Sequence, residues 1–297
     1  MTIPPVDVPI APPRKVRLLY APHLSGSIAL AADIAARLAE WQVQTTRDSV
    51  DAEDADSHWA SVDMAIALGG DGTMLRAGCL AAPHKVPVLG VNLGRLGFLA
   101  EVQPNEWPGV LARVIASDYW LERRTMLRAA VEREGVVIHT YDVLNEVVVG
   151  RGLTGRSVRI ESYIDGGLFL RYVADGVIVA TATGSTAYAM AAGGPILPPE
   201  LKNILMVAVA PHMIIDRPVV MDEGTTVELR VAGGHHAVLS ADGRDPIDLT
   251  TNDRVRVQVS PYVARFVRVQ PKSYFYQTLL ARMVRNPAAD VTINPNR

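Results

Sequence analysis

The hydrophobic period of this chain changes once, near residue 120, and that change limits the folds open to it. Before it, short continuous apolar runs alternate with helical spacing. Val16 to Tyr20, Met64 to Leu68 and Val86 to Val91 have the length of strands buried on both faces. Ala31, Ile34, Ala35, Leu38 and Trp41 mark one face of a helix over 27–41. Such strand–helix–strand alternation specifies a parallel sheet covered by helices. Beyond residue 120, β-branched or alternating runs stand between turn signals at 127–132, 136–141, 146–149, 158–164, 168–173, 204–209, 226–231, 237–240, 254–259 and 264–269. Asp165-Gly166-Gly167 reads as a hairpin turn and Tyr274 to Val284 as a closing helix. The pattern predicts an α/β plus all-β protein. A lead-in over 1–14, with five prolines, reads as disordered; an N-terminal α/β domain with a parallel-type sheet spans 15–120, and a β-rich, β-sandwich-like domain spans 121–271. The segment from Asp48 to Asp56, with five acids among small residues, reads as a solvated loop.

Composition removes several classes of function. A formal net charge of −2 gives no electrostatic footprint for nucleic acid or an acidic membrane surface. No run approaches the roughly 18 apolar residues of a membrane span, and the first residues lack the pattern of a secretory signal. The one cysteine, Cys79, excludes an internal disulfide and reads as a small core residue; a reducing, cytoplasmic setting is expected. Of 29 basic residues only Lys15, Lys85, Lys202 and Lys272 are lysines, and none follows a glycine, so there is no Walker A loop. No GxGxxG opens a predicted helix either. Histidines lack metal-ligand spacing, and no direct protein ligation of a metal is expected.

Four segments carry candidate chemistry. Gly69-Gly70-Asp71-Gly72-Thr73 follows the run Met64–Leu68 and precedes a helix expected over 74–82. Strand, glycines, then helix aims backbone N–H groups at an anion, and missing Cβ atoms let a phosphate approach. Thr73 suits the helix cap. A carboxylate at such a turn repels its ligand unless it neutralises a metal or takes a proton from an attacking hydroxyl; the alternative for Asp71 is an Asx-turn. Thr181, Thr183, Ser185 and Thr186 surround Gly184 behind the run Val177–Ala180, which suits an oxygen-rich ligand better than a helix cap needing one hydroxyl; Asp175 stands at the mouth of that strand. Asn145-Glu146 interrupts an apolar run and fits either a ligand or an internal polar network. Phe98, among glycines after the strand ending at Val91, lies where open α/β sheets bind ligands, or is ordinary core.

Five blocks occur in one order: GGDGT at 69–73, GVNLGRLGFLAE at 90–101, NEVVV at 145–149, DGVIVATATGSTAYAMAAGGPILPP at 175–199 and APHMIIDRPVV at 210–220. Together they resemble the bacterial NAD kinase family over roughly residues 16–280; GGDG alone is shared with lipid kinases and phosphofructokinases, whereas the TGSTAY…GGPI block is selective. The resemblance implies phosphorylation of the adenosine ribose 2′-hydroxyl of NAD to give NADP, with ATP or polyphosphate as donor and a divalent cation, normally Mg²⁺. It implies that the last helix, within 272–297, returns to the N-terminal domain. It also implies a homo-oligomer, dimer or tetramer, with shared active sites. Asp71 would be the catalytic base, and Gly69, Gly70, Gly72 and Thr73 would hold the donor phosphates. NAD would meet Asp71, Gly72, Arg76, Phe98, Asn145, Glu146, Arg156, Thr183, Thr186, Ala187, Tyr188, Ala189, Met190 and Ala191, with Asp175 acting across the subunit interface. Ala182 replaces the family's usual proline, and Arg244 stands where glutamine is frequent. The rival readings are a lipid or sugar kinase using the same glycine turn, and a non-catalytic dinucleotide sensor.

Overall fold

The structure, a computed structural model, describes residues 11–52, 58–94, 97–152, 156–212, 217–233 and 236–284. Residues 1–10, residues 53–57 with the acids Glu53, Asp54 and Asp56, Arg95-Leu96, residues 153–155, residues 213–216, Gly234-His235 and residues 285–297 lie outside the described residues. The chain divides into two compact units, one drawn from Met1–Ala81, Val86–Glu122 and Phe266–Arg297, the other from Ala82–Lys85 and Arg123–Arg265.

The first unit begins with β1 (Lys15–Tyr20), α1 (Ser27–Glu40), β2 (Gln44–Ser49), β3 (Met64–Gly69), α2 (Asp71–Ala81), β4 (Val88–Asn92) and α3 (Trp107–Ile115). Its strands run parallel in the order β2-β1-β3-β4. The amide of Arg14 donates to Asp63 (2.8 Å) and its carbonyl accepts from Gln44 (2.8 Å), so the chain joins the sheet one residue before β1. One sheet face, with Val16, Leu18, Met64, Ile66, Leu68, Leu89 and Val91, packs against Ala31, Ile34 and Leu38 of α1 and Val110, Leu111 and Val114 of α3. By strand alternation Ala65 and Ala67 face the other way. On α2, Met74 reaches Gly90 so closely that a Cβ there would lie 2.7 Å from its sulfur. Strand β2 departs from the sequence reading. It is polar because it is the sheet's edge, where burial no longer dictates apolar residues. Asp48 therefore lies in a strand rather than a loop and takes the buried Arg17 guanidinium at 2.9 Å.

The second unit is antiparallel wherever its register is assigned. Its elements are β5 (Trp120–Arg133, from Arg123 onward), β6 (Val136–Val143), β7 (Glu146–Arg151), β8 (Val158–Ile164), β9 (Gly167–Ala174), β10 (Gly176–Thr181), α4 (Tyr188–Ala191), β11 (Ile204–Val209), β12 (Val219–Met221), β13 (Val227–Val231), β14 (Ala237–Ala241), β15 (Ile247–Leu249) and β16 (Arg254–Arg268, as far as Arg265). One sheet has the order β6-β5-β16-β13-β8-β9 and the other β12-β11-β10-β7-β14-β15. Their apolar faces share one core, including Leu127, Val147, Val149, Ile160, Val179, Met206, Leu229, Leu239 and Val257. The β-sandwich expectation is met. Asp165 (φ 49°) and Gly166 (φ 82°) supply the left-handed pair that a two-residue hairpin turn demands. The runs expected at 254–259 and 264–269 form one strand through Pro261. Strand β13 pairs only with Arg254–Val257, so it does not require the N–H that proline lacks. The chain closes with α5 (Tyr274–Val284), which belongs to the first unit.

Candidate functional site

In the first unit, β3 runs straight into α2 through Gly69 and Gly70. A Cβ on Gly69 would stand 2.2 Å from the Thr73 hydroxyl oxygen, so this turn closes only without a side chain. Cβ atoms on Gly70 or Gly72 would meet nothing within 4 Å. Both residues face open space, and they line a cavity of about 250 Å³ with His23, Leu24, Val50, Asp51 and Thr73. The helix begins at Asp71, three residues earlier than the sequence reading placed it, and its first return bond runs from Met74 N–H to the Gly70 carbonyl (3.1 Å). Thr73 is accordingly a buried residue of the first turn and not its cap. The amides of Asp71, Gly72 and Thr73 lack intrahelical acceptors, which suits an anion. Arg76 holds the cavity wall: its Nε donates to the Val50 carbonyl (2.8 Å) and lies 3.4 Å from Asp51.

Asp71 does not form an Asx-turn. Its Oδ2 accepts the Phe98 amide (2.7 Å) and its Oδ1 the Leu99 amide (3.1 Å). A Cβ on Gly97 would fall 2.1 Å from Oδ1, so that glycine is dictated by the carboxylate beside it. Each oxygen keeps a free lone pair, so the group is oriented yet still able to accept a proton.

In the second unit, β10 delivers Thr181 to a loop containing one 3₁₀ turn (Gly184–Thr186), followed by α4. The hydroxyls serve this loop first. Thr181 donates to the Leu144 carbonyl (2.6 Å), Ser185 to that of Ala182 (2.6 Å) and Thr186 to that of Thr183 (3.1 Å). Counting hydroxyls therefore overstated their availability, because a tight turn leaves carbonyls that these side chains satisfy. Ala189 is fully buried against Ile178, Ala180, Leu205 and Val207, and offers a ligand no side chain. Thr186, Ala187 and Met190 are half-buried, and Tyr188 and Ala191 are exposed. Gly193 (φ 84°) ends α4 in the left-handed region that glycine adopts without strain.

The same loop sits on Asn145 and Glu146: the Thr181 amide donates to the Asn145 carbonyl (2.9 Å). One carboxylate, which the sequence left without a role, organises that corner. Asp242 accepts the amides of Leu144 (2.7 Å), Asn145 (2.9 Å) and Glu146 (3.0 Å), and its own amide donates to the Glu146 carbonyl (3.0 Å). The Asp242-Gly243 dipeptide, a turn signal in the sequence, was the available signal, and Asp242 takes a left-handed φ of 50° there.

Burial, reinforced by the Asp242 charge, pushes the Glu146 carboxyl from its ordinary 4.5 up to about 8, and its Oε2 has no partner. Burial thus favours the neutral carboxyl at pH 7. Between pH of about 4.5 and 8 the folded chain keeps a proton that the unfolded chain has released, so stability falls as pH rises through that window, by at most about 1.4 kcal/mol per unit. Glu146→Gln is expected to remove this term, gaining stability over the native chain as pH rises. Urea unfolding from pH 5 to 8.5 checks it; parallel curves would show that Glu146 is not held protonated.

The remaining expected residues lie apart. Asp175 is paired with Arg151 (3.2 Å) at the end of β10 opposite the Thr181 loop, roughly 20 Å away for a six-residue strand. Arg156 is exposed just before β8. No group of three or more His, Cys, Asp or Glu among the described residues is arranged to hold a metal ion.

A carboxylate on a side-chain-free anion turn, in a chain that also carries a polar loop built on a β-sandwich, is the equipment of a kinase acting on an alcohol. The family model for the ATP-NAD kinase N-terminal domain matches residues 16–119, and that for the ATP-NAD kinase C-terminal domain matches residues 144–269. An NAD kinase from Chloroflexus aurantiacus is 42% identical over 92% of this chain and 99% of its own length. One from Symbiobacterium thermophilum is 44% identical over 76% of this chain and 80% of its own length. Among solved structures, yeast NADH kinase complexed with NADH aligns with a TM-score of 0.78 at 23% identity, covering 96% of this chain and 91% of that one. An NAD kinase from Archaeoglobus fulgidus in complex with ATP aligns with a TM-score of 0.72 at 24% identity, covering 90% and 98%. The chain belongs to the ATP-NAD kinase family.

Proposed function

We propose that this chain transfers a phosphoryl group from ATP to the 2′-hydroxyl of the adenosine ribose of NAD, forming NADP. The observation that carries this reading is the seating of Asp71. A proton acceptor stands at the first turn of α2, oriented by two backbone amides, next to glycines that open onto an anion-sized cavity. Phosphoryl transfer needs alignment and charge stabilisation more than covalent help. The Gly70–Thr73 backbone holds donor oxygens, and Asp71 takes the proton of the attacking hydroxyl. The polar corner of Asn145 and Glu146, with Thr183, Thr186, Ala187 and Tyr188, holds the dinucleotide. Mg²⁺ in this reading arrives bound to the donor phosphates, as that ion commonly does. Incubating the protein with NAD, ATP and Mg²⁺ and measuring NADP tests the reading, with polyphosphate and NADH as alternative substrates. Product with diacylglycerol or a sugar phosphate but not with NAD would overturn it, as would binding of NAD without turnover.

The same reading makes the protein a cytoplasmic homo-oligomer. No helix among the described residues is long and apolar enough to cross a membrane. Strand β9 ends its sheet and exposes Leu168 (46%) and Phe169 (45%), and β6, at the other edge, exposes Val136, Val137 and Ile138. Long apolar edges invite pairing with another chain. Asp175, remote from the Thr183–Tyr188 loop in its own chain, acts in the site of a neighbouring copy. Phe169→Lys is expected to weaken self-association about tenfold or more, seen as a lower mass by light scattering and a parallel loss of NADP formation. An unchanged mass would move the interface elsewhere.

A further inference from the structure

Arg282 lies near the end of α5, in the first unit, with 9% of its surface exposed, and its Nε has no acceptor. Its Cζ lies 5.5 Å from the ring centroids of both Phe98 and Tyr274. Rings recover part of the solvation a guanidinium loses on burial, but they give its N–H groups no acceptor. The carboxylates close enough to act on it electrostatically are Asp71 and Glu101, and each is already engaged by backbone amides. Asp71 holds the amides of Phe98 and Leu99; Glu101 holds those of Val269 (2.6 Å) and Gln270 (3.2 Å). Glu122, also buried, is taken by Arg268 at 2.7 Å. Burial lowers the pKa of Arg282 from its ordinary value; Tyr274, Asp71 and Glu101 oppose that shift and Arg268 adds to it.

A buried cation that its neighbouring acids do not pair is costly, and an unsatisfied buried donor calls for a partner such as a bound ligand. The position suits this. Phe98 gives its amide to Asp71 and its ring to Arg282, so the guanidinium and the proposed base are tied to one residue. The glycine turn, moreover, carries no lysine of its own. We propose that Arg282 binds phosphoryl oxygens of the nucleotide, which supply the acceptor it lacks in the ligand-free chain. This rests on the reading that a nucleotide binds at the Asp71–Phe98 corner. Two sources carry the same chemistry, the diphosphate of NAD and the polyphosphate of the donor.

The full chain, Arg282→Met and Arg282→Lys are compared by thermal unfolding without ligand and by calorimetric titration with NAD alone and with inorganic tripolyphosphate alone. Arg282→Met is expected to melt at the same or a higher temperature, since an apolar side chain of similar length replaces an unpaired charge. Its affinity for one of the two ligands is expected to fall about 10- to 100-fold, with Arg282→Lys intermediate because an ammonium keeps the charge but not the fork. Loss of NAD binding assigns the arginine to the dinucleotide, and loss of tripolyphosphate binding assigns it to the donor. Unchanged affinity for both ligands overturns the proposal and leaves Arg282 as packing for Phe98 and Tyr274. Should Arg282→Met fail to fold, unchanged affinities in Arg282→Lys decide it in the same sense. Failure of the kinase reading looks different: the native chain makes no NADP, yet its tripolyphosphate affinity still depends on Arg282.

Discussion

Asp71→Asn is expected to lower the turnover of NAD to NADP by about 10²–10⁴-fold, the range for loss of a general base, while NAD affinity changes only a few-fold. An alcohol does not ionise unaided at neutral pH, so transfer to the ribose needs an acceptor in hydrogen-bond reach. Asp71 also has a structural task, and the experiment must separate the two. The asparagine oxygen can take one of the Phe98 and Leu99 amides, but its NH₂ then faces the other, and the Gly97–Leu99 segment loses a bond. That loss is worth about 1 kcal/mol, far less than the barrier change expected for chemistry. Steady-state kinetics, calorimetry with NAD and thermal unfolding on one preparation distinguish the cases. A drop of tenfold or less, with a lowered melting temperature, would leave Asp71 as a clamp for that segment and remove it from proton transfer.

The parts of this architecture that were legible in the sequence are those governed by local spacing. The buried runs at Met64–Leu68 and Ile204–Val209, the face of α1, the Asp165-Gly166 turn and the closing helix follow from period and turn chemistry alone. Strand β2 was not legible, because an edge strand of QTTRDS carries no burial signal. The site divides along the same line. A glycine turn after a strand announces itself, but its carboxylate is satisfied by amides 27 and 28 residues away. Asp242 likewise caps amides 96 to 98 residues upstream. Period reports which side chains are buried, not which distant backbone groups they meet. Arg282 was hidden for the same reason: the helix around it is readable, the committed acids beside it are not.

Gly184→Ala is expected to damage the second unit more than any other single methyl added at the glycines of the two candidate half-sites. A Cβ at Gly184 would stand 2.2, 2.6 and 2.9 Å from the carbonyl oxygen, carbonyl carbon and Cα of Asn145. All three are backbone atoms, and that backbone is fixed on both sides, by the Thr181 amide on the Asn145 carbonyl and by Asp242 on the Leu144, Asn145 and Glu146 amides. No flexible side chain can yield. Either the Thr181–Thr186 loop lifts or the Asp242 clamp opens, at a cost in the overpacking range of about 1–3 kcal/mol. Both movements separate Asn145 and Glu146 from the loop, so NAD affinity is expected to fall at least about tenfold in the chain that remains folded. Gly72→Ala is the informative contrast. Its Cβ meets nothing within 4 Å, so the melting temperature should hold, whereas the added methyl enters the anion cavity and should raise KM for ATP with little effect on NAD binding. Stability and NAD affinity lost together at residue 184, against donor binding alone at residue 72, would place the two substrates on the two segments as proposed. Equal tolerance at both glycines would mean that neither close approach is required.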